Sequence, residues 1–452
     1  MIARYRSRLD VISSRHWFEV QGTVEAVRGL ALHVRHLSAP IGSRVRIEGS
    51  KVMRGEVVGF DADVAIVMLD DAVEGVEPGC TVRTESDAGM VPIGPGLIGR
   101  VLDGLGRPID GRGPLRDIDS CPLHSAPIDP MDRSPIDVPL PTGVRSIDGL
   151  LTIGRGQRVG IFSGAGVGKS TLLGSIARDA ATDVAVIALI GERGREASDF
   201  IERALGPEGL ARSVVIVSTS DEPPLRRVRA THLAMTIAEG FRSSGADVLL
   251  GMDSITRYAR ALRQLALACG EPPATRGFPA SVFARLPVLL ERAGTLRDAG
   301  SITGLFTVLV EGDDLTDPIA DAAMGVLDGH IVLSRAIASR GRFPAVDPIA
   351  SVSRLADAVC DDIHIAARRE VLRLLGAWSE VEDLVSIGAY AAGSNPVTDA
   401  AVELRPTIET WLTQLQDEPA AYPEVCRQLV ELATTSVRLQ QVANTTGRVG
   451  TP

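Results

Sequence analysis

The segment RVGIFSGAGVGKST, residues 158–171, constrains the fold of this chain more than any other part of its sequence. Its apolar first half is typical of a buried strand, and the glycine-rich turn that follows leads into a helical pattern. Backbone N–H groups in such a turn are free to point at phosphate oxygens, with the positive end of the helix behind them. The pattern therefore predicts a nucleoside triphosphate site, with an ordinary strand-to-helix turn as the alternative.

The spacing within this loop assigns roles to individual residues. Lys169 is placed to reach the β and γ phosphates of a nucleotide, and the Ser170 hydroxyl is placed to ligate Mg²⁺. The strict pattern G-x-x-x-x-G-K-[ST] requires glycine at position 163, where this chain has Ser163. With Ser163, the other loop residues that we expect to bind the nucleotide are Gly164, Ala165, Gly166, Val167, Gly168 and Thr171.

Four segments of the chain differ in their hydrophobic periodicity and in their turn residues. Residues 17–93 alternate short β-rich runs with Gly, Pro, Asp and Ser turns, which predicts a small antiparallel β-barrel domain. Residues 94–350 start with an extended Gly- and Pro-rich segment and then alternate apolar runs with helical patterns, which predicts an α/β domain with a parallel sheet between helices. Residues 351–452 predict a helical domain. Residues 1–16 predict either a partner-binding helix or a frayed terminus.

Composition excludes several classes of protein. None of the 452 residues lies in an apolar run long enough to span a bilayer, and the N-terminus lacks the apolar core of a secretory signal. The five cysteines are scattered without a C-x-x-C pair, which favours a reducing compartment. A net charge of −10 disfavours broad binding to nucleic-acid phosphates. We therefore expect a cytoplasmic protein with no nucleic-acid partner and at most peripheral membrane contact.

Two carboxylates follow predicted strands, where ligands bind in an open α/β sheet. Asp253 ends the run VLLGMD, at the position of a carboxylate that holds Mg²⁺. A helix N-cap is the alternative for Asp253, because Ser254 and a helical pattern follow it. Glu192 ends the run VAVIALIGE and could orient the water that attacks the γ phosphate. A salt bridge to a neighbouring arginine is the alternative for Glu192.

Residues from about 90 to 400 resemble the hexameric ATPases related to the catalytic core of rotary ATP synthases, and among them the type III protein-export ATPases. The segments that carry the resemblance are TGVRSIDGLLTIGRGQRVGIFSGAGVGKS, LIGERGRE, DVLLGMDSITRYARA, GEPPATRGFPASVFARLPVLLERAG, VLVEGDDLTDPIAD, LDGHIVLSR and FPAVDPIASVSR. The resemblance implies a RecA-like P-loop ATPase domain. It also implies Glu192 as the general base, Arg193 as a cation beside the phosphates and Asp253 as the Walker B aspartate.

Further roles rest on the same resemblance. Arg354 matches the arginine finger, which reaches the nucleotide of the adjacent subunit, although by itself it would be taken for a solvated surface arginine. Because Glu192 and Arg354 occur in one chain, the resemblance implies a homohexamer with identical sites between neighbours. The export ATPases also lack glycine at the position of Ser163. Tyr390 is the candidate to stack on adenine, with a core tyrosine as the alternative.

The segments DLVSIGAYAAGSNP and GEPPATRGFPASVFARLP look most like the flagellum-specific ATPase. The implied function is ATP hydrolysis that powers or gates protein export at a type III apparatus, peripheral to the inner membrane at the export gate. The implied partners are stalk and regulator proteins, export substrates and chaperones. The alternatives are an injectisome ATPase, a rotary synthase catalytic subunit, an RNA-translocating ring and a ring subunit that does not hydrolyse ATP. The low aromatic content, 4%, disfavours the RNA ring, and Glu192 disfavours the inactive subunit.

Overall fold

The computed structural model describes most of the chain, namely residues 20–85, 89–124, 127–310, 312 and 314–447. The segment predicted as an N-terminal helix, residues 1–16, lies outside the described residues. Within the described ranges, every helix is too short or too polar to cross a membrane.

The first six strands form a closed antiparallel barrel. They are β1 (Gln21–Arg28), β2 (Ala31–Arg35), β3 (Arg44–Glu48), β4 (Val52–Asp61), β5 (Val64–Leu69) and β6 (Thr81–Thr84). The order around the barrel is β1-β2-β5-β4-β3-β6, and β1 closes on β6. Alternating residues such as Val24, Val45 and Ile47 point inward and are fully buried. The predicted barrel is confirmed.

The barrel ends at Thr84, whereas the sequence pattern suggested that its domain extends to residue 93. Three further strands follow, β7 (Met90–Ile93), β8 (Val101–Asp103) and β9 (Asp119–Pro122). β7 pairs with β9, and β8 pairs with the edge of the main sheet. A closed barrel has no free edge for a seventh strand, which explains why β7 pairs elsewhere. The segment predicted as an extended connector thus supplies two strands.

A sheet of nine strands forms the centre of the molecule. Besides β8, its strands are β10 (Arg158–Ser163), β11 (Val184–Glu192), β12 (Ser213–Thr219), β13 (Asp247–Asp253), β14 (Gly294–Thr295), β15 (Ser301–Leu309), β16 (Gly329–Leu333) and β17 (Val346–Ser353). The order is β17-β16-β10-β15-β13-β11-β12-β8, with β14 beside β15. Only β14 and β17 pair antiparallel within this sheet. The predicted, largely parallel sheet is confirmed.

Helices cover both faces of this sheet, and further helices form the C-terminal part of the described chain. They are α1 (Arg145–Leu150), α2 (Lys169–Asp179), α3 (Gly194–Asp199), α4 (Gly206–Ala211), α5 (Pro224–Ser243), α6 (Ile255–Ala268), α7 (Ala280–Leu290), α8 (Pro318–Val326), α9 (Arg335–Ser339), α10 (Ala356–Val359), α11 (Asp362–Ser386), α12 (Pro396–Leu412) and α13 (Tyr422–Gly447). Successive side chains of β11 point to opposite faces of the sheet and are buried in different cores. Val186 lies in the core that contains Leu233 of α5, and Ile187 lies in the core that contains Leu173 of α2.

The three long C-terminal helices, α11 to α13, pack on one another and on α1. Gly149 of α1 allows this approach, since a Cβ there would lie 2.7 Å from the Trp411 ring of α12. The Gln414 side chain after α12 accepts from the Arg145 N–H at 2.9 Å and donates to the Gly143 carbonyl at 2.7 Å. These contacts hold the segment after α12 beside the start of α2, where the predicted phosphate loop lies.

Candidate active site

The glycine-rich loop links the end of β10 at Ser163 to the start of α2 at Lys169. Gly166 has φ 79° and Gly168 has φ 92°, a left-handed conformation that residues with a Cβ rarely adopt. Gly168 is also the N-cap of α2. The loop therefore presents its backbone N–H groups at the N-terminus of an eleven-residue helix, as an anion site requires.

Lys169 and Asp253 form a buried ion pair at the carboxyl ends of β10 and β13. The Asp253 carboxylate, 1% exposed, also accepts from the Thr307 hydroxyl at 2.7 Å and from the Ser170 hydroxyl at 3.3 Å. Helix α6 is capped by Ser254, whose side chain accepts from the Arg257 N–H. Ser254, and not Asp253, therefore caps α6, and the Asp253 carboxylate is directed at the phosphate loop.

Glu192, at the end of β11, completes this cluster of charges. One carboxylate oxygen, Oε1, lies 3.8 Å from Lys169 Nζ, and the other, Oε2, lies 3.4 Å from the Arg257 guanidinium. Burial raises the pKa of Glu192 to about 7, and the charge of Asp253 contributes in the same direction. Among the described residues, Oε1 has no hydrogen-bond partner. A largely buried carboxylate with one oxygen that accepts no hydrogen bond and a pKa near neutrality has the properties of a general base.

Gly191 makes the contact between Glu192 and Arg257 possible. Its φ is 70°, and a Cβ at this position would lie 2.9 Å from the Arg257 side chain. The salt bridge considered as an alternative role for Glu192 does form, with Arg257 on α6 as its partner. It leaves Oε1 free, so the ion pair and a role in catalysis are compatible.

Two cavities flank the start of α2. The first, of about 280 Å³, is walled by apolar groups that include Val167, Phe343, Pro344 and Leu415. The second, of about 360 Å³, is lined by charged and polar groups that include Ser170, Glu192, Asp253, Glu196 and Arg203. Thr171 and Gln416 border both cavities. The cavity on one side of the phosphate loop thus has an aromatic ring and aliphatic side chains in its wall, and the cavity on the other side brings several charged groups together.

Tyr390, the candidate to stack on adenine, lies away from the phosphate loop of its own chain. This residue lies outside both cavities, in the loop between α11 and α12, where its hydroxyl donates to Asp399 at 2.8 Å. The aromatic ring beside the phosphate loop belongs to Phe343, which is 47% exposed. Sequence reasoning missed Phe343 and Leu415 because they come from segments remote from the loop in the chain. The aromatic residue that opens FPAVDPIAS was the available signal.

Arg193 and Arg354, the two other predicted cations, line neither cavity. Arg193 is exposed and pairs with Glu196 at 3.6 Å. Arg354 follows β17 and is also exposed, with its guanidinium 3.4 Å from the Met324 carbonyl. β17 runs antiparallel to β16, which is parallel to β10. The last residue of β17 is therefore level with Val159, at the start of β10. Arg354 thus lies at the end of the sheet opposite to the phosphate loop of its own chain.

Two family models match the chain. The nucleotide-binding domain of the ATP synthase alpha/beta family matches residues 143–353, and the C-terminal domain of the type III secretion ATPase EscN matches residues 360–431. The first of these segments contains the whole cluster from the phosphate loop to Asp253. The chain belongs to the ATP synthase alpha/beta family.

Relatives place the chain in the export branch of this family. The flagellum-specific ATP synthase of Pseudomonas aeruginosa is 47% identical, over 91% of this chain and 93% of its own length. That of Salmonella typhimurium is 49% identical, over 87% of this chain and 89% of its own. The type 3 secretion system ATPase of Xanthomonas euvesicatoria is 46% identical, over 91% and 93%. The chain is an ATPase of the type III export family, as its motifs indicated.

Solved structures agree with this assignment. The assembled ATPase EscN of the enteropathogenic E. coli type III secretion system superimposes with a TM-score of 0.87 at 42% identity, covering 91% of this export ATPase and all of that chain. EscN in complex with its central stalk EscO gives a TM-score of 0.84 at 41% identity, with the same coverage. The predicted barrel, P-loop sheet and helical C-terminus are therefore the architecture of this family.

Proposed function

We propose that this chain hydrolyses ATP in the presence of Mg²⁺ as one subunit of a homohexamer, and that hydrolysis powers or gates protein export through the flagellar type III apparatus. The observation that carries the proposal is the cluster of Lys169, Asp253 and Glu192 behind the phosphate loop, with Glu192 Oε1 free. In this proposal the protein is cytoplasmic and lies peripherally at the inner membrane beside the export gate.

The residues at the loop fit a metal-bound triphosphate. The loop N–H groups and Lys169 would bind the phosphates, and the oxygens of Ser170 and Asp253, 3.3 Å apart, are the hard ligands that Mg²⁺ prefers. When bound, Mg²⁺ neutralises charge on the β and γ phosphate oxygens. Phe343 and Leu415 offer apolar surfaces on which a purine base can stack.

Glu192 would orient the attacking water through Oε1 and accept its proton. Its raised pKa supports this role, because a base whose pKa lies near the working pH is ionised and still able to hold a proton. Arg257 holds the other carboxylate oxygen and so fixes the direction of Oε1. Arg193, exposed just before α3 and paired with Glu196 of the second cavity's lining, is the proposed cation beside the phosphates.

Arg354 supports a site shared between subunits. It lies at the far end of the sheet from its own phosphate loop, so in this proposal the Arg354 of a neighbouring copy stabilises charge on the transferred phosphoryl group. A ring of heterologous contacts, in which each subunit offers its loop to one neighbour and its arginine to the other, provides this arrangement. EscN is assembled in one solved structure and bound to its central stalk EscO in another, which supports a ring and a stalk partner for this chain too.

The first test separates nucleotide binding from hydrolysis. Glu192→Gln should bind a fluorescent ATP analogue as tightly as the unaltered protein and hydrolyse ATP about 10²- to 10⁴-fold more slowly, since a general base contributes this much. Glu208→Gln, the same change at an exposed glutamate of α4, is the matched control and should retain full activity. Hydrolysis by Glu192→Gln at the rate of the control would refute the assignment.

The second test addresses the shared site. Lys169→Ala and Arg354→Ala should each be inactive alone. A mixture of the two variants should regain activity. The Arg354→Ala subunit still has an intact phosphate loop, and the Lys169→Ala subunit still has its Arg354. An interface that combines this loop with this arginine is therefore a complete site. About a quarter of the interfaces in a random equimolar ring have this composition. No recovery on mixing, with both variants folded and assembled, would argue against sites shared between subunits.

An injectisome ATPase is the second candidate, because the Xanthomonas relative is nearly as similar as the flagellar ones. Deletion of the gene in the source bacterium separates the two. Loss of flagellar filaments with secretion of other type III substrates intact supports the flagellar function, and the opposite result supports the injectisome.

A further inference from the structure

Two thiols, an imidazole and a phenol meet where the C-terminal helices pack on α1. Nδ1 of His364 lies 3.6 Å from the Cys426 sulfur and 3.4 Å from the Tyr422 hydroxyl oxygen. The side chain of Cys360, four residues before His364 in the chain, is also close enough to the ring to interact with it. The other ring nitrogen, Nε2, donates to the Gly149 carbonyl at 2.9 Å. Because Nε2 donates to this carbonyl, Nδ1 is the ring nitrogen that is available to the thiols.

The two cysteines are in different electrostatic environments. Burial raises the pKa of the Cys360 thiol, but hydrogen bonds from His364 and Thr152 outweigh burial, and the net shift is downward. Cys360 also lies just before α11, whose positive N-terminal end favours a thiolate. Burial raises the pKa of Cys426, and the charge of Cys360 raises it further. Cys360 is therefore the better nucleophile, and Cys426 stays protonated.

Both cysteines lie beside the His364 ring, and neither is fully buried. Partial burial favours the access of a small oxidant. Cys426 is the fifth residue of α13, and α11 and α13 lie side by side. Because the Cys426 sulfur contacts the His364 ring and Cys360 lies beside the same ring, rotation about the two cysteine side-chain bonds can bring the sulfurs together.

We propose that Cys360 and Cys426 form a dithiol that hydrogen peroxide oxidises to an intrachain disulfide. The Cys360 thiolate attacks one peroxide oxygen and breaks the O–O bond, which gives a sulfenic acid and releases hydroxide. The Cys426 thiol then attacks the Cys360 sulfur, the S–S bond forms and the sulfenic oxygen leaves as water. In total the two sulfurs lose two electrons, and one peroxide is reduced to two waters. His364 stabilises the thiolate and donates a proton to the first leaving hydroxide.

Three other cysteines of the same chain serve as internal controls. Burial raises the pKa of Cys121 and of Cys269, and Cys80 is partly buried in the barrel. At a pH below both pKa values, a thiol whose pKa is one unit lower has a thiolate fraction about tenfold larger, and its thiolate is about threefold less nucleophilic. The larger thiolate fraction therefore decides which thiol reacts faster. We therefore expect Cys360 to react with peroxide at least several-fold faster than Cys121 and Cys269 at pH 7.

The test uses the full-length protein, reduced and then treated with a small excess of hydrogen peroxide. After alkylation and digestion, mass spectrometry should find the Cys360 and Cys426 peptides linked, with the other cysteines alkylated. Cys426→Ser should accumulate a sulfenic acid at Cys360 that dimedone traps, and Cys360→Ser should form neither product. His364→Asn should slow the oxidation of Cys360.

The result in the unaltered protein decides the proposal even if a variant folds poorly. Oxidation of Cys121 and Cys269 at the rate of Cys360, or their oxidation without any linked Cys360–Cys426 peptide, would overturn it.

Discussion

Glu192→Gln is expected to stabilise the protein at alkaline pH, because the buried carboxylate is costly when ionised. Its pKa moves from 4.5 to about 7 on folding, and the side chain is 13% exposed. Between these two values the unfolded chain releases the proton and the folded chain retains it, so stability falls as pH rises. A shift of about 2.5 units corresponds to about 3 kcal/mol when both states are ionised.

The expected gain on substitution therefore depends on pH. Removing the ionisable group should raise the free energy of unfolding by about 3 kcal/mol at pH 8 and by about 1 kcal/mol at pH 5, where the folded protein keeps the proton. For a domain of this size, 3 kcal/mol corresponds to an increase in midpoint temperature of about 6–12 °C. Differential scanning calorimetry of the nucleotide-free protein at the two pH values measures this increase for the transition of the central domain.

Glu196→Gln is the matched control for this measurement. Glu196 lines the same cavity, but it is exposed and its pKa is lowered, against the effect of burial, by a hydrogen bond with Glu192 and by contacts with Arg193. Its removal should not stabilise the protein at pH 8. A gain for Glu192→Gln that is equal at both pH values, or no gain at pH 8, would show that Glu192 is not held with a raised pKa.

Three further substitutions test other parts of the site. Gly191→Ala should lower kcat at least tenfold, because the added methyl group would displace Arg257, from which it would lie 2.9 Å away; unchanged steady-state hydrolysis would contradict this. Phe343→Ala should raise KM for ATP about 5- to 150-fold, since loss of one base stack costs about 1–3 kcal/mol, whereas Tyr390→Phe should leave KM unchanged. Thr307→Val should destabilise the protein by about 1–3 kcal/mol in thermal unfolding, because a buried carboxylate loses a donor; an unchanged midpoint would count against that hydrogen bond.

Much of the fold could be predicted from local patterns. The run before Ser163 is apolar and the glycines that follow it permit left-handed backbone, so strand, loop and helix are encoded within 14 residues. The buried strands such as β11 and β13 were predicted because a central parallel strand is apolar on both faces. The extent of the barrel was harder to predict, since β7 carries a strand pattern like that of the barrel strands and only pairing with β9 distinguishes it.

The candidate site was predictable where residues act at strand ends. Asp253 and Glu192 follow neighbouring strands of a parallel sheet, whose carboxyl ends meet at one edge. The cavity beside Phe343 was not predictable in this way. Phe343 lies just before β17, and Leu415 lies just after α12. These two segments are distant in the chain and meet only because the helices pack together.

The sequence by itself determined the phosphate loop, the parallel sheet and the family, because these depend on residue type and spacing over short stretches. Only the tertiary structure decided that Glu192 is buried with one free oxygen, that Phe343 and not Tyr390 borders the loop, and that Arg354 is remote from its own site. Burial, a pKa and a distance across a sheet arise from segments that are far apart in the chain and come together on folding. No local pattern encodes them.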